Sequence, residues 1–153
     1  MNNVTLKLAT IKDIPIFIEL EKSLANLKTY SNMTEEDEVR EEFKKNIIYL
    51  IQNNNKTVGS IEYEIKSLDH VYISGMVINP KFQGQGIGRE ALSKILGKLE
   101  SFKRIDLVTH PDNIPALELY KSFGFVVESR KENYFGDGEP RIILVRNNLN
   151  AKI

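Results

Sequence analysis

The sequence has 153 residues, 21 basic and 21 acidic side chains, and no net charge. That length suits one domain with a core of its own, so residues 1–153 are expected to form a single domain, and the charge balance argues against a general nucleic-acid or membrane-surface binder. Cysteine is absent, which removes disulfides, thiol nucleophiles and thiolate metal sites, and the two histidines, His70 and His110, lack zinc-site spacing. The opening MNNVTLKLAT has no apolar signal core and no window approaches a membrane span, so a soluble, cytoplasmic protein is expected.

In chain order, Val4 to Ala9 alternates as a strand does. A helix follows, capped either by Thr10, with Asp13 near the capping-box position, or by Asp13 itself. Pro15 favours Asp13, since its missing N–H then falls among the unpaired donors of the first turn. Ile14, Ile16, Phe17, Ile18, Leu20 and Leu24 make this helix largely apolar. After a loop from Leu27 to Met33, Thr34 and Asp37 form a variant capping box that opens a charged helix running to about Lys45. Its acidic run Glu35-Glu36-Asp37-Glu38 reads as a solvated helix start favoured by the helix dipole. A sharper reading makes it an acidic rim that attracts a cationic amine.

Ile47 to Gln52 is an apolar strand, Asn53-Asn54-Asn55-Lys56 a hairpin turn, and Thr57 to Ile65 the returning strand. Ser67-Leu68-Asp69 turns into the stretch that organises the chain, His70 to Glu100. It reads as a strand ending before Pro80, a turn Gln83-Gly84-Gln85-Gly86-Ile87-Gly88-Arg89, and a helix that buries Ala91, Leu92, Ile95, Leu96 and Leu99. A helix start offers unpaired N–H groups and partial positive charge, and glycines before it let a phosphate approach. Arg89 is the wrong sign for the dipole, which makes sense if an anion sits there. The alternative is a glycine turn that only packs closely. The spacing fits neither G-x-G-x-x-G nor the P-loop, which would need a lysine and a hydroxyl.

Ile105 to Thr109 is the next strand, and strand, crossover helix, strand implies a parallel, right-handed unit. Asp112 or Asn113 then caps a short helix carrying Ala116, Leu117, Leu119 and Tyr120, which Gly124 ends. Phe125 to Glu128 and Pro140 to Arg146 read as the last two strands, bridged by Asn133 to Glu139.

Two motifs remain: Q-x-x-G-x-G at Gln83 to Gly88, and N-x-x-A-x-x-L-Y-x-x-x-G-F from Asn113 to Phe125. Their order and separation resemble the GNAT N-acetyltransferase superfamily, and the strand and helix order extends the likeness over nearly the whole chain. The C-terminal half, with Asn133-Tyr134-Phe135 and Gly138-Glu139, is nearest in pattern to bacterial ribosomal-protein alanine N-acetyltransferases. The resemblance implies a mixed α/β (α+β) domain: a mostly antiparallel sheet flanked by about four helices, whose central parallel strands splay between residues 70–79 and 104–110. It implies acetyl-CoA as co-substrate, with no metal, and direct acetyl transfer to a primary amine of a small molecule, a protein N-terminus or a lysine. By position, the backbone of Met76, Val77 and Ile78 would bind the acetyl group and pantetheine. Gly84, Gln85, Gly86, Ile87, Gly88 and Arg89 would hold the pyrophosphate. Asn113 would bind the pantetheine side, and Tyr120 would be the general acid.

Without the resemblance, Asn113 reads as a helix cap and Tyr120 as core. A phenol with a pKa near ~10 is protonated at neutral pH and suits a departing thiolate. The glutamate base of the ribosomal-protein enzymes is replaced here by Val108. Substitutes are Glu62, Glu64, His110 or a water relay, and Tyr134 is a candidate to line the acceptor pocket, each with a plain structural reading beside it. A second class of function is an acyl-CoA-binding or sensing module that is catalytically weak; a third is a nucleotide-phosphate enzyme. The final strands often mediate pairing in this superfamily, so a homodimer is compatible with the resemblance.

Overall fold

The computed structural model describes residues 1–25 and 27–148. Seven strands form one sheet: β1 (Val4–Leu8), β2 (Ile47–Asn53), β3 (Lys56–Ile65), β4 (His70–Ile78), β5 (Arg104–Thr109), β6 (Val126–Lys131) and β7 (Arg141–Asn147). Four helices accompany them: α1 (Ile14–Lys22), α2 (Glu36–Lys45), α3 (Ile87–Lys98) and α4 (Ile114–Ser122). The strand order is β1-β2-β3-β4-β5-β7-β6, and only β4 and β5 run parallel. This is the mixed α/β arrangement expected, and the α3 crossover between β4 and β5 explains the single parallel pair.

Local chemistry sets the elements. Both caps proposed for the first helix are used. Thr10 and Asp13 close a capping box around a short 3-10 turn, with the Thr10 N–H donating to Asp13 Oδ2 at 2.9 Å. Asp13 then serves as N-cap of α1, its carboxylate already committed and Pro15 in the first turn. Thr34 does not cap α2: Glu35 stands at that N-cap and makes no side-chain bond. The acidic side chains of the first turn hold the dipole instead. The β2–β3 hairpin closes on Asn54 and Asn55 at positive φ (52° and 68°), as a primed turn demands. Phe125 is not the first residue of β6. Its N–H donates to Tyr120 O, beyond Gly124 at φ 89°, so it belongs to the end of α4 and is buried in the core.

The sheet is covered on both faces. Ala91, Leu92, Ile95 and Leu96 of α3 and Leu117 and Tyr120 of α4 pack on one face against Ile51, Ile61, Val71, Ile105 and Leu107. Phe17 of α1, with Val39 and Phe43 of α2, packs on the other against Ile48, and Leu20 and Leu24 pack against Leu50 and Val77. Alternation along β2 divides it between the layers: Ile48 and Leu50 face α1 and α2, whereas Ile51 faces α3. Among the described residues no helix is long and apolar enough to cross a membrane.

Candidate active site

β4 and β5 separate where the sequence reading placed a wedge. Their pairing runs from His70↔Arg104 to Ile73↔Leu107 and then stops, although both strands continue. The cause lies in β4. Glu62 pairs with Gly75 and Tyr63 with Ile73, so Ser74 is an extra, bulged residue that bends the strand. Beyond the bulge, the Asn79 N–H donates to Val58 O, and alternation then turns the backbone of Val77 toward β3 as well. Met76 and Ile78 accordingly turn theirs into the opening left by β5. Ile78 O accepts a bond from Gln83 Nε2 at 2.9 Å, which ties the glycine turn to the strand. Of the three strand residues singled out in the sequence, Met76 and Ile78 thus present backbone to the opening, and Val77 is held by the sheet.

The turn has the form expected of an anion cradle. Gly84 and Gly86 both take left-handed backbone (φ 77° and 80°), which side chains disfavour. Gly86 is the N-cap of α3 and, having no side chain, leaves the first-turn N–H groups of Ile87, Gly88 and Arg89 uncapped. Gln85 O accepts from Asn2 Nδ2 at 2.6 Å, which fastens the turn from outside. Gly88 sits in the first turn with space for ordinary contact only, near Met76 and Ile78 side chains. A row of backbone donors at a positive helix end suits a pyrophosphate. Arg89 lies beside it but bonds Ser122 Oγ at 3.0 Å and stacks over Phe123, so its guanidinium is directed to the end of α4.

A cavity of about 370 Å³ opens at the wedge. Met76, Val108, Asn113 and Tyr120 line it on the side of β5 and α4. Tyr120 is 8% exposed, packs edge-on to Phe125 and lines the cavity, and burial raises its pKa, so the phenol stays protonated at neutral pH. Asn113 caps α4 through a 3.4 Å bond from the Ala116 N–H and still borders the cavity. The cap reading holds, and the cap leaves the residue on the cavity wall.

The base candidates separate sharply. His110 is 2% exposed and engaged at both nitrogens: Nδ1 accepts from the Asp112 N–H at 3.0 Å, leaving the proton on Nε2, which lies 2.7 Å from Glu139 Oε1. A ring with no free lone pair is a structural brace, not a base. Glu64 reaches the cavity edge but is paired with Lys66 at 3.2 Å. Glu62 lines the cavity, is 7% exposed, and has one carboxyl oxygen, Oε2, buried without a hydrogen-bond partner among the described residues. Burial first, then Glu42 and Glu21, drive its pKa well above the usual carboxylate range. Tyr134 does not line the cavity; it stands edge-on to Phe135, which does.

The acidic rim imagined at Glu35 to Glu38 is exposed and lies away from the cavity. The carboxylates that face the cavity are others: Glu21 on α1 and Glu42 on α2, beside Glu62. Burial raises Glu21 to about 7. Asn46 links this group to the bulge, accepting from Ser74 Oγ and donating to Glu42 Oε2 at 3.1 Å. Their signal was present in the sequence as glutamates interrupting apolar helical stripes, Phe17-Leu20-Glu21-Leu24 and Val39-Glu42-Phe43. Among the described residues, no group of three acidic or histidine side chains is placed to hold a metal ion.

The family model described as Acetyltransferase (GNAT) family matches residues 17–125. The chain belongs to the GNAT acetyltransferase family. A similar curated protein, the UPF0157 protein YqkA of Bacillus subtilis (strain 168), is 35% identical over 74 residues, which cover 48% of this chain and 21% of that one. The ribosomal protein bS18 alanine N-acetyltransferase of Escherichia coli (strain K12) is 28% identical over 88 residues, 56% of this chain and 58% of that one. The GNAT chain described here therefore spans from about a fifth to under two thirds of the length of these relatives. A solved GNAT family acetyltransferase from Elizabethkingia anophelis with acetyl-CoA bound shares its fold, with a TM-score of 0.77, 21% identity, and 95% of this chain and 98% of that one covered.

Proposed function

We propose that this protein is an acetyl-CoA-dependent N-acetyltransferase that transfers acetyl directly to a primary amine. One observation supports the reading: Met76 and Tyr120 line one cavity at the wedge, and the uncapped glycine turn adjoins it, tied to Ile78 O through Gln83 with Gly88 beside the Met76 side chain. The donor set fits acetyl-CoA, offering neutral backbone N–H groups to a pyrophosphate and an extended strand edge to an amide-bearing arm. When bound, acetyl-CoA supplies an acetyl group as a thioester, whose C–S bond breaks as the amine's electron pair forms the C–N bond. The Met76 N–H faces the opening and is the preorganised donor for negative charge developing on the carbonyl oxygen. Tyr120 keeps its proton at neutral pH and gives it to the departing sulfur.

A site that needs this co-substrate belongs in the cytoplasm, where we place the protein. Tyr120→Phe is expected to lower turnover about 100-fold while the acetyl-CoA dissociation constant changes less than about twofold. Thiol release with a panel of amines and calorimetric binding measure the two quantities. Val108 in place of a glutamate favours one other reading, a module that binds acyl-CoA and does not transfer it. Binding without thiol release for any amine would establish that reading instead.

A further inference from the structure

The carboxylates of the cavity have no task in the reading above. Glu62 stands on β3 directly opposite Gly75, the residue before Met76. A side chain on Gly75 would place its Cβ 2.9 Å from Glu62 Oε1, so the carboxyl lies over bare backbone next to the proposed carbonyl donor. Its other oxygen, Oε2, is buried with no hydrogen-bond donor among the described residues, although the Glu42 carboxyl stands within hydrogen-bond reach of Glu62, and the residue lines the cavity. A buried oxygen left without a partner needs one from a ligand. The wedge explains how this side chain meets Tyr120. Glu62 rises from the face covered by α1 and α2, and Tyr120 from the face covered by α4, and only where β4 and β5 part do both open on one space.

From this geometry we infer that Glu62 is the proton acceptor for the incoming amine, and that Glu62, Glu42 and Glu21 together form a pocket for a small acceptor carrying a second positive charge. The inference rests on the acetyl-transfer reading for its reaction and on the cavity alone for its binding. An ammonium N–H bond breaks, its electron pair stays on nitrogen, and the proton goes to Glu62 Oε2. The second proton lost by nitrogen on amide formation restores Tyr120 after Tyr120 has protonated the sulfur. Once its nitrogen is neutral, a monoamine leaves the remaining carboxylates unbalanced. Lys45 lies 3.6 Å from Glu42, and the other cation of the cavity lining, the buried Arg141, is committed to Asp137 at 3.0 Å and stacks over Phe135. Glu21, on α1, is hydrogen-bonded by the Met33 backbone and the Asn32 side chain, neutral groups that leave its charge to be balanced by a further charge on the substrate. An acceptor with a carboxylate in that position would be repelled.

The test uses three probes of equal length: 1,4-diaminobutane, 1-aminobutane and 4-aminobutanoate. Each is titrated calorimetrically into the protein alone, and each is then assayed for thiol release with acetyl-CoA. The diamine is expected to bind at least about tenfold more tightly than the monoamine, and 4-aminobutanoate more weakly than either. Glu21→Gln should reduce the diamine preference to less than about threefold with acetyl-CoA affinity kept. Glu62→Gln should lower turnover about 100-fold and abolish the rise of turnover with pH on its acid side. That rise reflects Glu62 among the cavity's other ionisable groups: Glu42 and Lys45 from α2, Glu21 from α1, Tyr72 from β4, Arg141 from β7 and Glu64 along its own strand. Should Glu62→Gln fail to fold, the wild-type probe series and Glu21→Gln decide alone. Equal binding of all three probes overturns the inference, even with acetyl-CoA bound and transferred. Diamine preference without acetyl-CoA binding upholds the pocket and overturns the transfer reading instead.

Discussion

Glu21 and Glu62 show what a buried carboxyl does to a small protein before any substrate arrives. Both are held above their ordinary pKa chiefly by loss of water, so folding penalises their ionised forms until a cation arrives to offset the cost. For Glu21 the folded value of about 7 exceeds the ordinary 4.5. Its contribution to stability is therefore full below about pH 4.5 and is lost as pH rises through about 7. Glu21→Gln should flatten that decline, by up to about 2 kcal/mol once partial exposure is allowed for. Urea unfolding of both proteins at pH 5 and pH 8 measures it; equal slopes against pH would contradict the assignment. Tyr120 was legible at this scale because a shared motif named it. Glu21 and Glu42 left only a weak trace, as glutamates within apolar helical stripes, and packing is what turns them toward the cavity.

Among the elements, β3 and β4 carry much of the candidate site, and their fit is tight. A Cβ on Gly59 would lie 2.2 Å from Val77 O, inside the β3–β4 ladder. The strand has no flexible side chain there to yield, so the ladder itself must shift. Gly59→Ala is expected to cost about 2–3 kcal/mol in denaturant unfolding and to weaken acetyl-CoA binding, because the displaced strand bears Met76 and Ile78. Unchanged stability would mean that the ladder is looser than its register indicates. The elements themselves were largely readable, because hairpin asparagines, left-handed glycines and apolar helix stripes act locally. The Ser74 bulge was not. It depends on how Glu62 and Tyr63 pair across the sheet, which no local pattern in β4 encodes. The same reason hid the fate of His110, braced by Glu139 from a loop far along the chain.

At the scale of the molecule, one departure from sheet regularity produces the site. Helices cover both faces, so a complete sheet would keep the two layers apart. Parting β4 from β5 joins them, giving Tyr120 and Glu62 a common cavity and leaving strand backbone exposed beside an uncapped helix start. The fold and the geometry of the glycine turn followed from the sequence because both are written in continuous stretches. The acceptor side draws on α1, α2 and β3 at once, and only the assembled chain brings those together. The central claim is that the turn at Gly84 to Arg89 holds the diphosphate of acetyl-CoA, and calorimetric titration with acetyl-CoA tests it most directly. The wild type should bind, and Gly86→Glu, verified as folded by its unfolding transition, should lose at least about 100-fold in affinity as its carboxylate meets the pyrophosphate. Equal binding by both, or none by the folded wild type, would contradict the account.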